Sequence, residues 1–266
     1  MSRLLGDRSL KFVAENIAEP AHYRALANMA RRYPRPLDGY GRYLFGRGTY
    51  PTRFAVRTPS GLVRPALWSF HDMLTLNEVF CREDYAVREP PALVVDIGSN
   101  IGLSALYFLT RGPQVRCRLL EPVARNVERL RRNLEGFEDR YELEQVAVAD
   151  FDGEAEFRVD PFGRYGGIGQ EGDDMMTVPC RHIDGVLEDA LQGADVIDVL
   201  KIDVEGYEPA LLRAAHPDLL ARVAVIYLEG SAAELPAPDG FDATESCETV
   251  RLHNSALSGR SQASRR

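Results

Sequence analysis

The segment 93–102, LVVDIGSNIG, decides the fold of this chain. Its first part, Leu93–Ile97, is a short and almost wholly apolar run, which is typical of strands buried on both faces of a parallel sheet. Gly98 follows at once, and a helix is predicted over Leu103–Thr110, ended by Gly112-Pro113. The segment therefore predicts a strand, a tight glycine turn and a helix, which is the first unit of an α/β fold.

The same alternation continues downstream. The predicted strands are Val115–Leu120, Leu143–Ala149, Glu154–Val159, Val196–Val204 and Val223–Leu228, and the predicted helices begin at Pro122 and span Pro209–Ala215. Alternating strands and helices indicate a mostly parallel sheet with helices on both faces, a doubly wound, Rossmann-like α/β class.

An α+β extension is predicted ahead of the sheet. We expect a helix within residues 1–30, irregular loop over 31–52, a hairpin that turns at Pro59-Ser60-Gly61 and a short helix over Leu74–Phe80. Pro90-Pro91 marks a boundary. We therefore divide the chain into an N-terminal lobe of residues 1–87 covering the substrate side, a main domain of residues 88–254 and a loose tail of residues 255–266.

Composition excludes several protein classes. Of 266 residues, 45% are hydrophobic and 27% charged, which argues against a collagen-like or disordered chain. No apolar run approaches the ~20 residues that span a bilayer, so no membrane partner is expected. The N-terminus is broken by charges, unlike a signal peptide. Four separated cysteines without a C-x-x-C pair suit reduced thiols, and we expect a cytoplasmic protein.

Basic charge is concentrated near the N-terminus. Residues 24–64 carry nine Arg and one acid, Asp38, a net of +8 in a chain whose total is −8. This stretch is a solvated face, a docking site for an anionic acceptor or an acidic carrier protein, or a nucleic-acid surface with Tyr40, Tyr43 and Tyr50 as stacking platforms. The net negative charge of the whole chain argues against nucleic acid.

The strand ends predict a cofactor site, since ligands of open α/β sheets bind outside the carboxyl ends of the strands. Gly98 and Gly102 permit close backbone approach, and Glu121 at the next strand end can accept hydrogen bonds from both hydroxyls of a ribose. Asp96 beside the turn would repel a pyrophosphate but suits the cationic amino group and sulfonium of S-adenosylmethionine (SAM). The pattern therefore favours SAM over a dinucleotide, whose fingerprint is G-x-G-x-x-G.

Several motifs resemble the FkbM family of SAM-dependent methyltransferases. They are VVDIGSNIG (94–102), LLEP (119–122), AVADFDGEAEF (147–157), IDGVL (183–187) and LKIDVEGYE (200–208), preceded by a similar lead-in, SFHDMLTLNEVFCREDY (69–85). The resemblance covers about residues 55–230. It implies a class I methyltransferase fold, SAM as cofactor and O-methylation of a hydroxyl on a sugar, polyketide or other natural-product scaffold. His182 departs from the family, in which Thr or Ser is general near this position.

The motif around Lys201 is predicted to border the acceptor. Lys201, Asp203 and Glu205 alternate along a strand and would share one face if the strand continued that far. O-methylation needs a base for the hydroxyl proton, and a carboxylate or a Lys of lowered pKa could serve. The alternative is a structural ion pair. A divalent metal on Asp203 and Glu205 lacks an evident third acid, so no metal is predicted. His71 and His182 are further base candidates, His71 because its lead-in segment would cover the cleft.

Together these observations predict a SAM-dependent methyltransferase of a small hydroxylated metabolite. The predicted cofactor residues are Asp96, Gly98, Ser99, Asn100 and Gly102 at the methionine end, Glu121 at the ribose, Val148 within Ala147–Asp150 at the adenine, and Asp203; the predicted catalytic residues are Lys201, Asp203, Glu205 and His71. Gly163–Gly172 is a candidate lid or a plain hairpin connection. The alternatives are an RNA or protein methyltransferase that binds through residues 24–64, an N-methyltransferase, and a SAM-binding scaffold without transfer activity.

Overall fold

A computed structural model describes residues 20–159, 166–168, 174–235, 237–247 and 249–257. The chain divides into two compact units, with the boundary between Ala86 and Val87. None of the helices in the described ranges is both long and apolar enough to cross a bilayer.

The first unit combines helices with short antiparallel pairs. Its elements are α1 (Pro20–Arg32), α2 (Pro36–Phe45), β1 (Thr52–Arg53), β2 (Val56–Thr58), β3 (Gly61–Val63), β4 (Ala66–Leu67) and α3 (Phe70–Asn77), followed by a π-helical turn over Glu78–Arg82. Strand β2 pairs with β3 and β1 pairs with β4, which confirms the predicted hairpin. The first nineteen residues of the predicted N-terminal helix lie outside the described residues.

Helix α2 occupies part of the stretch predicted as irregular loop, so that prediction is wrong there. Pro36 stands in the first turn, where a missing N–H costs nothing. Gly46 ends the helix in the left-handed conformation and donates its N–H to the carbonyl of Arg42. Gly39 lies so close to the ring of Tyr33 that a Cβ would overlap it. The prolines and glycines that suggested a loop therefore mark the helix start, its closest contact and its end.

Within the described residues, the second unit contains two sheets, five α-helices and a 3-10 turn over Glu138–Arg140. Its strands are β5 (Leu93–Ile97), β6 (Arg116–Leu120), β7 (Tyr141–Glu144), β8 (Ala147–Ala149), β9 (Gly153–Val159), β10 (Gly166–Ile168), β11 (Asp174–His182), β12 (Ile197–Ile202), β13 (Val223–Glu229), β14 (Phe241–Ser246) and β15 (Thr249–Asn254). Its helices are α4 (Leu103–Leu109), α5 (Ala124–Asn133), α6 (Ile183–Leu191), α7 (Glu208–Ala214) and α8 (Pro217–Leu220).

The main sheet has seven strands in the order β14, β15, β13, β12, β5, β6, β7. The five strands from β13 to β7 are parallel, and the β14–β15 hairpin closes one edge antiparallel. The chain changes direction across the sheet between β5 and β12, so the switch point lies between these strands. This is the doubly wound, mostly parallel α/β architecture of class I methyltransferases that the sequence predicts.

The apolar runs of the central strands form the core. Side chains of Val95 and Ile97 on β5 pack in one cluster with Leu200 and Ile202 on β12 and with Ile226 on β13, all fully or almost fully buried. Burial of each such side chain contributes on the order of 1.5–3 kcal/mol. This rigid centre holds the carboxyl ends of β5 and β12 in register.

A second sheet of four strands, in the order β10, β9, β11, β8, was not foreseen. The strand predicted over Leu143–Ala149 is in fact two, because the chain leaves the main sheet after Glu144 and joins the second sheet at Ala147. Of the candidate lid Gly163–Gly172, only Gly166–Ile168 is described, and it pairs with β9. The rest of that segment lies outside the described residues.

The carboxyl edge of the sheet as candidate active site

Lys201 is the centre of a buried ionic cluster at the switch point. Its Nζ lies 3.0 Å from Oδ1 of Asp96 and 3.1 Å from Oδ2 of Asp203, and it donates to the carbonyl of Gly98 at 2.9 Å. Burial alone would lower the pKa of Lys201, but Asp203 and Asp96 outweigh it and raise the pKa above its usual range. The expectation of a Lys with lowered pKa acting as a base is therefore wrong. Lys201 is a cation that ties β5 to β12.

Asp96 lies beneath the glycine turn rather than on its surface. Its side chain is fully buried, and besides Lys201 it accepts a hydrogen bond of 2.5 Å from the hydroxyl of Ser104 on α4. Lys201 therefore balances the charge that seemed to discriminate between cofactors. A direct contact of Asp96 with a ligand stays a prediction. Glu121 is now the carboxylate expected to favour SAM over a ligand with a pyrophosphate.

The two glycines of the turn are required by packing as well as by backbone conformation. A Cβ on Gly98, whose φ is 76°, would overlap the backbone carbonyl of Asp203. A Cβ on Gly102, whose φ is 81°, would lie 2.9 Å from Cγ of Leu130 on α5. The turn is thus pressed onto the end of β12 on one side and onto a helix on the other.

Asn100 stands where a dinucleotide fingerprint has glycine. Its φ is 47°, in the left-handed region that Asn tolerates better than most residues. Its N–H donates to Oε2 of Glu121 at 2.9 Å. Ser99 is almost fully buried, and its hydroxyl donates to the carbonyl of Asp96. Asn100 and Glu121 are therefore joined by a hydrogen bond, and the Ser99 side chain supports the turn internally.

Glu121 is a buried carboxylate surrounded by donors. Its Oε1 accepts from the N–H of Val123 at 2.9 Å and from the amide of Asn126 at 3.2 Å. Burial raises the pKa of Glu121 to about 7, although these bonds and the N–H of Asn100 favour the charged form. The group therefore changes charge near neutral pH, at the strand end predicted to hold a ribose.

The predicted adenine segment ends in a hydrogen bond to the Lys201 motif. Val148 is buried in β8, and Asp150 directly follows this strand. The hydroxyl of Tyr207 donates to Oδ1 of Asp150 at 2.6 Å. The turn after β8 and the loop after β12 are therefore joined.

Strand β12 ends at Ile202, so Asp203 and Glu205 lie in the loop beyond it and not on a strand face as predicted. The side chain of Asp203 is 29% exposed, and Glu205 has a left-handed φ of 55°. Glu229 joins them: one carboxylate oxygen from each of the three residues lies within 4.8 Å of the other two. This third acid was absent from the residues predicted from the sequence.

A local signal for Glu229 exists. Ile202 pairs with Leu228 in the parallel ladder, so the next residues of the two strands, Asp203 and Glu229, end side by side. An acid directly after the predicted strand Val223–Leu228 was the clue. Desolvation and the neighbouring carboxyl of Asp203 raise the pKa of Glu229 well above its usual range.

An open cavity of about 180 Å³ adjoins these acids. It is lined by Glu205, Gly206, Glu208, Pro209, Glu229, Gly230, Glu234 and Leu235. None of these eight side chains is basic. Glu208 is buried and accepts from the N–H groups of Val204 and Gly206, which holds the loop in shape.

Two histidines of the second unit, His182 and His216, cap helices. Nδ1 of His182 accepts from the N–H of Asp184 at the start of α6, which is the capping role that Thr or Ser performs, so the departure from the family pattern has a structural reason. His216 caps α8 in the same way. His71 lies on α3 of the first unit, and its catalytic role stays a prediction.

Comparison with known proteins shows which family the chain belongs to. Residues 96–245, more than half of the chain, match the methyltransferase FkbM domain. The chain is 30% identical over 193 residues to the AMB antimetabolite synthetase AmbE of Pseudomonas aeruginosa. This match covers 58% of this chain and 9% of AmbE. It is 29% identical over 167 residues to the 2-O-methyltransferase NoeI of Sinorhizobium fredii, which covers 56% of this chain and 67% of NoeI. The chain thus spans a small part of AmbE and about two thirds of NoeI.

Solved structures include a methyltransferase FkbM from Methylobacillus flagellatus, which superposes with a TM-score of 0.45 at 13% identity over 69% of this chain and 54% of that one. The family match over residues 96–245 contains the glycine turn, Glu121 and the Lys201 cluster. This chain belongs to the FkbM family of methyltransferases.

Proposed function

We propose that the chain is a SAM-dependent O-methyltransferase that acts on a hydroxyl group of a small metabolite. One observation carries the proposal: the Gly98 turn, Glu121 and Asp203 converge at the carboxyl edge of the sheet, at its switch point. The N–H groups of Gly98 and Ser99 donate to the carbonyl of Leu120, and the N–H of Asp203 donates to that of Ile97, so the three strand ends are stitched together. The relative NoeI, named as a 2-O-methyltransferase, supports oxygen as the acceptor atom.

The residues at this edge fit SAM. Glu121 supplies a carboxylate that can accept from ribose hydroxyls, while a pyrophosphate at the same place would face this carboxylate and that of Asp203. Val148 and Asp150 border the adenine side. When bound, SAM supplies an electrophilic methyl group on a sulfonium, and the chain's own residues position it and handle the acceptor proton.

Asp203 is the group proposed to accept that proton. Its carboxylate lies 3.1 Å from Nζ of Lys201, is partly exposed, and lies within 4.8 Å of carboxylate oxygens of Glu205 and Glu229, which line the cavity. As the acceptor oxygen forms its bond to the methyl carbon and the carbon–sulfur bond breaks, the hydroxyl proton passes to a carboxylate oxygen of Asp203. Glu205, in the same loop, lines the cavity and is the alternative proton acceptor.

The cavity supports a neutral or cationic acceptor over an anionic one. Its lining has four glutamates and no basic side chain, so it offers no counter-charge to a carboxylate or phosphate, whereas sugar-like hydroxyls can donate to carboxyl oxygens. The second candidate is a macromolecular acceptor. It is kept because the first unit has exposed arginines, among them Arg31, Arg47 and Arg57.

Transfer of labelled methyl from SAM into a host lysate, separated by ultrafiltration, tests the proposal. Wild-type protein is expected to label the small-molecule fraction, and Asp203→Asn is expected to lose this label while still binding S-adenosylhomocysteine (SAH). Label confined to the retained fraction contradicts a small acceptor and points to RNA or protein. Absence of SAH binding by the wild type contradicts SAM dependence.

A further inference from the structure

The phenol of Tyr207 joins two segments that come from different sheets. Asp150 follows β8 of the second sheet, and Tyr207 ends the loop that leaves β12 of the main sheet. Their hydrogen bond of 2.6 Å links positions 57 residues apart. Within the described residues, this hydrogen bond connects the proposed adenine border with the loop carrying Asp203 and Glu205.

The ring of Tyr207 is held independently of its hydroxyl. It packs against the main core cluster and also against the smaller cluster that contains Ala147, Ala149 and Phe157 of the second sheet. A ring fixed on both sides delivers its hydroxyl to one place at little entropic cost. Burial and the neighbouring Asp150 raise the pKa of Tyr207 to about 12, so the phenol keeps its proton and remains a donor at neutral pH.

The hydrogen bond from Tyr207 fixes the orientation of the Asp150 carboxylate. Its Oδ1 accepts from Tyr207, and within the described residues no second hydrogen bond engages it. The backbone of the same turn is anchored two residues later, where Asp152 accepts from the N–H of His182. A carboxylate with one oxygen satisfied and one available is suited to accept a single additional N–H donor.

We propose that Tyr207 is a positioning residue for the cofactor: it holds Asp150 so that this carboxylate accepts a hydrogen bond from the exocyclic amino group of the adenine. The inference rests on the proposed function, since it presumes that an adenine nucleoside binds at this edge. It assigns Tyr207 no contact with the cofactor itself. The same hydrogen bond connects the proposed adenine site with the loop that carries Asp203.

The test compares SAH with its 6-deamino analogue, in which hydrogen replaces the amino group, by calorimetric titration of the full chain. Wild type is expected to prefer SAH. Tyr207→Phe keeps the ring and is expected to weaken SAH binding by about three- to tenfold while changing affinity for the analogue less than about twofold. In an Asp150→Ala background, Tyr207→Phe is expected to have no further effect.

Tyr141→Phe is the matched control, because Tyr141 begins β7 at the opposite edge of the sheet. It is expected to leave both affinities unchanged. Equal losses for SAH and the analogue in Tyr207→Phe would overturn the positioning role and leave a structural one, as would losses that persist in the Asp150→Ala background. Failure of the wild type to bind SAH overturns the proposed function instead, so the two failures are distinguishable.

Discussion

The ammonium group of Lys201 lies 3.0 Å from the carboxylate of Asp96, and neither side chain has more than 3% of its surface exposed. In a chain whose basic residues are 30 Arg and two Lys, this position carries one of the two lysines. A compact ammonium reaches three oxygens at once here, those of Asp96, Asp203 and Gly98, where a planar guanidinium would need more space. The pair therefore explains why Lys stands here, as a structural cation rather than a base.

Removal of this cation should be costly. Lys201→Met leaves Asp96 buried without its ion-pair partner, and we expect a loss of about 3–5 kcal/mol in the free energy of unfolding. The double variant Lys201→Met/Asp96→Asn should recover most of that loss, because no buried charge remains. Urea titration of the wild type, both single variants and the double variant measures the coupling. A single-variant loss below about 1 kcal/mol would contradict the assignment.

The contact of Gly98 with Asp203 should be visible as a difference between two glycines. Gly98→Ala places a methyl group against the carbonyl of Asp203, whereas Gly136→Ala, at a φ of 89°, meets no atom within 4 Å. The control should lose about 1 kcal/mol of stability from its backbone conformation alone, and Gly98→Ala clearly more. The same variant should also lower turnover, since it displaces Asp203. Equal losses in urea titration would argue against the contact.

Glu229 should make the fold less stable as pH rises. Its folded pKa is raised, so the folded state binds a proton more tightly than the unfolded chain, and stability falls as pH rises above the ordinary pKa of Glu. Glu229→Gln is therefore expected to raise stability at pH 8 by up to about 1 kcal/mol, a figure reduced for its solvent exposure, and to have little effect at pH 4. Thermal unfolding at both pH values measures this.

Glu188→Gln, which changes an exposed carboxyl on α6 outside the cavity lining, is the control. Glu188→Gln should leave the stability unchanged at both pH values. A stabilisation of Glu229→Gln that is the same at pH 4 and pH 8 would mean that ionisation is not the cause.

The local apolar runs were sufficient to predict β5, β6, β12 and β13, since each is a short segment buried between helices whose composition reports its surroundings. The glycine turn and Glu121 followed from strand ends, which are also local. The fold class could therefore be predicted from the local sequence of these segments, without knowledge of the distant segments that they contact.

What the sequence could not show depends on pairing between distant segments. The division of Leu143–Ala149 between two sheets depends on β11, more than 25 residues away along the chain, because Ala147 pairs with Cys180. The identity of Lys201 as a buried ion-pair partner depends on Asp96, which lies beside it only through the β5–β12 ladder. Glu229 likewise joins the site only through the register of β12 and β13.

The raised pKa of Glu121 predicts a pH-dependent cofactor affinity. Ribose hydroxyls donate to a carboxylate, so binding favours the ionised form, while burial keeps the pKa of Glu121 at about 7 in the free protein. At pH 6 about one tenth of the carboxyl groups are ionised and at pH 8 about nine tenths, so the affinity for SAH should fall by nearly tenfold, about 1.3 kcal/mol, from pH 8 to pH 6.

Calorimetric titration in two buffers of different ionisation enthalpy should also detect nearly one proton released per SAH bound at pH 6. Glu121→Gln should bind SAH more weakly and with no pH dependence. Glu142→Gln, which removes the exposed ion pair between Glu142 on β7 and Arg118 on β6, should keep the wild-type profile. A wild-type affinity that is flat between pH 6 and pH 8, or a dependence that survives in Glu121→Gln, would place the ribose away from this carboxylate.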